Sequence, residues 1–107
     1  MTEKLSLVSD AFRAFMTEAP GHAQAWGGMV QGLAKASALD AKTSALAYLA
    51  VLAALRLESG IPFHVISAKK AGASREEVIS AILIGLPAAG HVVTQALPSA
   101  LAAYDAE

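Results

Sequence analysis

The chain is 107 residues long, with eight basic residues, nine acidic residues and no cysteine. This length fits one domain around one core, so residues 1–107 are predicted to form a single domain. A net charge of −1 provides no basic field for phosphates, so nucleic acid is not an expected partner. The lack of cysteine excludes disulfides, thiolate metal sites and thiol nucleophiles.

Apolar residues make up 55% of the chain and charged residues 16%, against about 45–50% and 25% in typical soluble domains. A small monomer buries a low fraction of its surface, and a large exposed apolar patch usually marks an interface. We therefore expect a homo-oligomer. The first residues, Met1–Ser6, show no apolar signal core behind a basic head, so the expected location is the cytoplasm.

Alanine and leucine dominate and strand-like alternation is absent, so the sequence predicts a run of helices. The first is expected from about Leu5 to Glu18, ending before Pro20. The second is expected from about His22 to Ala36.

Asp40 is a good N-cap for a third helix, expected over residues 41–58. Beyond Lys42 this helix is apolar on nearly every side. Such a pattern is typical of a helix at the centre of a core. Ser59 and Gly60 interrupt the pattern.

Pro62 suits the first turn of a fourth helix, and Gly72 suits its left-handed C-terminal cap. Ser74 and Glu77 have the spacing of a capping box at the start of a fifth helix, expected to end near residue 86. A sixth helix is expected over residues 91–104, with Pro98 as a candidate bend. The predicted fold class is all-α, a compact bundle of about six helices.

The stretch from Val78 to Tyr104 carries no charge and exceeds the roughly 20 residues that a membrane span needs. Gly85, Pro87 and Gly90 interrupt it. These breaks favour two buried helices that meet at a turn, so no membrane association is expected.

Residues 39–54 (LDAKTSALAYLAVLAA) and 63–83 (FHVISAKKAGASREEVISAIL) resemble the core of the carboxymuconolactone decarboxylase and AhpD-like family. The likeness covers roughly residues 39–97. It implies an AhpD-like helical fold, a homo-oligomer of trimeric or hexameric form, and a small-molecule ligand.

The redox branch of this family carries a Cys-x-x-Cys pair before a histidine, and a glutamate further upstream. Alignment on His64 places Leu57 and Gly60 at the cysteine positions and Ala45 at the glutamate position. Neither leucine nor glycine can act as a nucleophile. We therefore predict that thiol-dependent peroxidase activity is absent.

The decarboxylase branch offers a different interpretation, because its histidine can stand without the cysteine pair. This resemblance implies cofactor-free acid/base chemistry on a small organic acid or lactone. His64 is then the candidate general acid/base, and Glu58 its candidate orienting partner and catalytic carboxylate. Arg56 is the candidate anion binder.

Two further residues are candidate substrate contacts. His91 follows Gly90 at an expected helix start and could face the same cavity as His64, and the Tyr48 hydroxyl needs a partner or a cavity. The histidines show no metal-ligand spacing, so no metal is expected. The alternative is a catalytically silent family member that serves as a ligand-binding or structural homo-oligomer, with His64 as a core histidine.

Overall fold

The computed structural model describes residues 8–106, and every regular element within them is helical. The α-helices are α1 (Asp10–Glu18), α2 (Pro20–Ala36), α3 (Ala41–Ala54), α4 (Ile61–Lys70), α5 (Arg75–Leu83), α6 (Leu86–Ala89) and α7 (Leu97–Asp105). Two 3₁₀ helices span Glu58–Gly60 and Gly90–Ala96. The predicted all-α class is confirmed.

The chain divides into two compact units, which meet between Asp40 and Ala41 in sequence. In the first unit α1 packs against α2, and the Trp26 ring lies 5.4 Å from Phe12 and 6.1 Å from Phe15, edge-on to both. Such tilted aromatic pairs add stability beyond the area they bury. Aromatic contacts therefore hold this helical pair together.

Both helices of the first unit begin at different residues from those predicted. Helix α1 begins at Asp10, because the Ser9 hydroxyl accepts the amide hydrogen of Phe12 at 3.1 Å and caps the first turn. The expected start at Leu5 lies outside the described residues. Helix α2 begins at Pro20 rather than His22, since a proline tolerates the first helical position, where no amide hydrogen is needed.

The second unit is built around a continuous apolar core. Helix α3 packs against α4 and α5, and α7 packs against α4. The largest fully buried side chains come from α3, α4, α5 and the second 3₁₀ helix: Leu49, Ile61, Val65, Val78, Ile82 and Val93. These contacts fix α4 on α3 and so set the position of His64.

The predicted signals for helix starts and helix ends in the second unit are confirmed. Pro62 lies in the first turn of α4, and Gly72 takes a φ of +101° just after that helix. The Ser74 hydroxyl accepts the Glu77 amide hydrogen at 3.0 Å, while the Glu77 carboxylate accepts the Ser74 amide hydrogen at 2.8 Å. The predicted capping box is therefore present.

Helix α3 ends at Ala54, four residues before the predicted end at Glu58. The amide of Leu57 donates to the carbonyl of Leu52 at 2.9 Å, and the amide of Arg56 donates to Ala53 at 3.2 Å. This pair of bonds is a Schellman motif, which satisfies the last helical carbonyls and turns the chain away. The prediction missed it because Arg56, and not a glycine, occupies the left-handed position, with φ +61°.

The expectation that α3 is buried all round is also wrong for one side. Leu49, Leu52 and Ala53 are buried, but Tyr48 and Val51 are about half exposed. The physical reason is that α4 and α5 cover only part of the circumference of α3 in a single copy of this unit.

The C-terminal region also differs from the two helices predicted there. Residues 75–105 form one largely helical stretch, so the described chain contains five helical segments rather than six. A turn at residues 84–85 and the 3₁₀ helix Gly90–Ala96 lie in the region where a break between the fifth and sixth helices was predicted. Pro98 does not bend a helix, because it lies in the first turn of α7.

By length and composition alone, the stretch Arg75–Asp105 could cross a membrane, with a mean hydropathy of 1.6 over 18 residues. Val78, Ile82 and Val93 within it have no exposed surface and belong to the core of the second unit, but only 17% of that 18-residue window is buried. A core helix passes the same test of length and apolarity.

Candidate functional site

His64 is the predicted site residue with the most defined surroundings. It lies in the first half of α4, and its side chain is half-buried. The centre of its ring is 4.6 Å from that of Tyr48 on α3 and 5.2 Å from that of Phe63. The structure therefore brings together two predicted site residues, His64 and Tyr48, from different helices.

Gly60 forms part of the wall beside the imidazole. A Cβ atom added at Gly60 would lie 3.9 Å from Cδ2 of His64 and 3.7 Å from a methyl group of Leu52. Both are ordinary van der Waals distances, so a small side chain fits at this position. Gly60, which stands at the second cysteine position of the redox branch, is therefore next to His64.

Burial lowers the pKa of His64 below its ordinary value of 6.5, because the charged imidazolium loses hydration. Within residues 8–106 no hydrogen bond or ion pair joins His64 to a carboxylate that would raise the pKa again. Burial therefore favours the neutral form of the imidazole. A neutral imidazole has one donor nitrogen and one acceptor nitrogen, so it can take up a proton.

Arg56 and Glu58 lie on the connection between α3 and α4, and both are exposed. The left-handed conformation of Arg56 is disfavoured for a residue with a side chain by roughly 1–2 kcal/mol. Neither residue forms an ion pair within the described part of the chain. Glu58 therefore makes no contact with His64 of the kind that would orient the ring.

His91 is exposed and lies in the 3₁₀ helix Gly90–Ala96. Its carbonyl oxygen accepts a hydrogen bond from the Thr94 hydroxyl at 2.8 Å. Among the residues the structure describes, no hydrogen bond or ring contact links His91 to His64. The structure thus gives no contact that would make the two histidines one site.

Two adjoining surface grooves between α3 and α5 were not predicted. They have volumes of about 340 and 290 Å³ and share Leu46, Ala81, Ile84 and Glu77 in their lining. Lys42 pairs with the Glu77 carboxylate at 3.0 Å in the lining of the second groove. The charge-free run after Lys42 predicted a helix at the centre of the core, and only the tertiary packing shows which of its sides remains open.

The groups that can take part in chemistry beside His64 are few. Its ring contacts are the rings of Tyr48 and Phe63, and of these two side chains only Tyr48 carries a hydroxyl that can donate or accept a hydrogen bond. Across residues 8–106 no group of three or more histidine, aspartate and glutamate side chains is arranged to hold a metal ion. An imidazole and a phenol are thus the polar groups that the packing of α3 and α4 brings together.

The match to a family model decides the identification. The model described as the carboxymuconolactone decarboxylase family matches residues 20–105. The chain belongs to this family. The match extends the resemblance at both ends, to include α2 and α7. No curated protein and no solved structure matches the chain.

This carboxymuconolactone decarboxylase family member has no cysteine anywhere in its sequence. Leu57 and Gly60 stand at the positions of the cysteines in the redox branch. Leu57 precedes the 3₁₀ turn that leads into α4, and Gly60 is the last residue of that turn. Since thiolate chemistry needs a thiol, the chain itself cannot supply the nucleophile of a dithiol relay.

Proposed function

We propose that this protein performs cofactor-free acid/base chemistry on a small organic acid or lactone, with His64 as the proton-transfer group. The reaction class is decarboxylation or lactone chemistry, as in a carboxy-lyase. The observation that carries the proposal is the half-buried imidazole of His64, which lies in tilted contact with the Tyr48 ring and has a lowered pKa. A neutral imidazole can accept a proton from a substrate and return it.

Arg56 is the proposed binding group for the substrate carboxylate. It is the only lysine or arginine between Lys42 and Lys69, and its guanidinium is exposed, with no carboxylate paired to it in the described chain. A guanidinium binds a carboxylate through two parallel hydrogen bonds, which also orients the bound acid. When a carboxylate leaves as CO₂, the carbon that carried it keeps the electron pair of the broken bond and must take up a proton. His64 can deliver that proton after its neutral imidazole has first accepted one from water or from the substrate.

The remaining groups have supporting roles in the proposal. Tyr48 and His91 are proposed substrate contacts, and Glu58 is the proposed second proton-transfer carboxylate. We further propose that the protein is a cytoplasmic homo-oligomer that binds neither nucleic acid nor membranes.

The test is turnover of a panel of small carboxylated lactones at pH 7.5, without added thiols. His64→Ala should abolish product formation, whereas the matched variant His91→Ala should lower it to a smaller extent. Circular dichroism and molecular mass must show that both variants retain fold and assembly. Equal product formation by wild type and His64→Ala would overturn the assignment of His64.

A second candidate function is that of a catalytically silent, ligand-binding family member. The observation that favours it is the apolar groove along Leu46, Ala81 and Ile84, which does not include His64. Small apolar ligands should then raise the thermal unfolding midpoint. Ala81→Leu, which narrows the groove, should remove that stabilisation, while Ala54→Leu on the exposed end of α3 should leave it intact.

A further inference from the structure

Gly60 lies beside His64 at a position whose backbone conformation does not require a glycine. Its φ of −87° and ψ of −11° fall in the right-handed helical region, which residues with side chains adopt freely. By contrast, Gly72 and Gly90 have φ values of +101° and +82°, where a side chain is disfavoured. Backbone conformation therefore explains Gly72 and Gly90 but not Gly60.

Packing does not require a glycine at this position either. The three heavy atoms nearest to a Cβ atom added at Gly60 are the two δ-methyl carbons of Leu52, at 3.7 and 3.8 Å, and Cδ2 of His64, at 3.9 Å. These are ordinary van der Waals distances, so an alanine fits without displacing either neighbour. An alanine also loses less conformational freedom on folding than a glycine does. The absent side chain therefore leaves a space that stability of the fold does not explain.

This space, which we call the Gly60 niche, is apolar and adjoins the candidate proton-transfer group. Its three nearest atoms are all carbon atoms, and Leu52 is buried, so its wall is fixed by the core. Gly60 itself is partly exposed, so the niche is open to solvent. A polar group in the niche would gain no hydrogen bond from these carbon atoms, whereas an aliphatic group would lose water at no such cost.

The niche also lies next to a nitrogen that can exchange a proton. In an imidazole ring Cδ2 is bonded directly to Nε2, and in the neutral ring each nitrogen is either a donor or an acceptor. A group held against Cδ2 of His64 is therefore next to Nε2. An aliphatic group in the niche would place the substrate carbon that bears it beside the proton-transfer nitrogen, and such positioning raises the rate of proton transfer.

We propose that Gly60 is a specificity-determining residue and that the Gly60 niche receives one aliphatic substituent of the substrate. The substrate class is then a carboxylated lactone or small organic acid with a methyl branch close to the carbon that exchanges a proton. This inference rests on the function proposed for His64.

The experiment compares paraconate, a γ-lactone with one carboxylate, with a series of paraconates that carry one added methyl group at different ring carbons. Binding to the full chain is followed through the Cδ2–H resonance of His64 in proton–carbon correlation spectra. That resonance is assigned by its absence in His64→Gln, and the resonance of the exposed His22 is the internal reference.

The wild type should bind the best methyl isomer about fourfold more tightly than paraconate, since burial of one methyl group contributes about that factor. In Gly60→Ala the new methyl group occupies the niche. The affinity for the same methyl isomer should then fall by at least about tenfold, whereas the affinity for paraconate should change by less than about twofold.

Gly85→Ala is the matched control. Gly85 has nearly the same backbone conformation, with φ −85° and ψ 2°, and an added Cβ atom would lie 3.6 Å from a methyl group of Val93. Both alanine variants should raise the thermal unfolding midpoint by about 2–6 °C, because both glycines occupy conformations that alanine adopts. Gly85→Ala should leave both affinities unchanged.

The proposal is overturned if Gly60→Ala lowers the unfolding midpoint, because the glycine would then have a structural role. It is also overturned if no paraconate shifts the His64 resonance, or if Gly60→Ala has the same effect on methylated and unmethylated ligands. The reaction itself is contradicted by a different result, in which the wild type binds the methyl isomer with the expected preference but forms no product from it.

Discussion

The rings of Tyr48 and His64 lie 4.6 Å apart and are tilted by 54° to each other, across the contact between α3 and α4. The aromatic ring removes water from one side of the imidazole, which contributes to the burial that lowers the pKa of His64. A helix contact in the fold thereby favours the neutral form of the candidate catalytic group.

The lowered pKa of His64 predicts how stability depends on pH. Below pH 6.5 the unfolded chain binds a proton at His64 while the folded chain does not, so the free energy of unfolding falls as pH falls. The loss should stop once pH drops below the folded pKa. The free energy of unfolding of His64→Gln should lack this dependence on pH. Urea unfolding of the wild type and the variant from pH 8 to pH 5 measures the difference between their free energies of unfolding. A difference that does not change over this range would contradict the buried neutral imidazole.

Arg56 and Gly72 occupy the same position in two Schellman motifs, since the amide of Ala73 donates to Ala68 and that of Gly72 to Lys69, both at 3.0 Å. This predicts opposite effects of substitution. Arg56→Gly should raise the free energy of unfolding by about 0.5–1 kcal/mol, because glycine adopts the left-handed conformation without strain. Gly72→Ala should lower it by about 1 kcal/mol for the same reason. An added Cβ at Gly72 meets nothing within 4 Å, so the effect there is one of backbone conformation.

The measurement for this pair is chemical unfolding at two protein concentrations tenfold apart. An unfolding midpoint that does not depend on concentration separates folding from any contact between copies. Destabilisation by Arg56→Gly under these conditions would mean that the arginine side chain itself stabilises the fold.

The turn before α4 predicts where thiol chemistry could be introduced. The Gly60 amide donates to the Leu57 carbonyl at 3.1 Å, and a turn closed in this way keeps its end Cα atoms within about 7 Å. The double variant Leu57→Cys/Gly60→Cys should therefore form an internal disulfide, since disulfides span Cα distances of about 4.4–6.8 Å. The wild type should show no thiol-dependent peroxide reduction.

Thiol titration and mass spectrometry before and after mild oxidation measure disulfide formation in the double variant. Each single cysteine variant is the control, since it can form only intermolecular bonds. Two thiols that stay reduced in the folded double variant would show that the turn does not correspond to the Cys-x-x-Cys segment of the redox branch.

The Glu77 carboxylate predicts a second dependence on pH. Its pKa is lowered, first by the hydrogen bond from the Ser74 amide and then by that from Lys42. Its contribution to stability is present above the ordinary pKa of 4.5 and is lost as pH falls through the lower folded value. Glu77→Gln should lower the thermal unfolding midpoint at pH 7 more than Glu76→Gln does, and the difference between the two midpoints should disappear at acid pH. A difference that stays constant with pH would show that the charge of Glu77 is not its cause.

The features that the sequence predicted correctly depend on neighbouring residues only. The capping box of Ser74 and Glu77, the cap at Gly72 and the first-turn position of Pro62 each follow from backbone chemistry within one turn. Helix content follows in the same way from the excess of alanine and leucine. These features form wherever the segment lies in the fold, so they can be predicted without knowing how the helices pack.

The tertiary structure decided the features that depend on distant residues. Helix α3 ends at Ala54 because Arg56 takes the left-handed conformation that local preference disfavours. The contact between Tyr48 and His64 and the exposed side of α3 likewise depend on which helices pack together. The amino-acid sequence by itself determined the all-helical class, the caps at Gly72 and Ser74 and the absence of a thiol. Packing decided which side chains meet, because periodicity specifies a helix face but not what covers it.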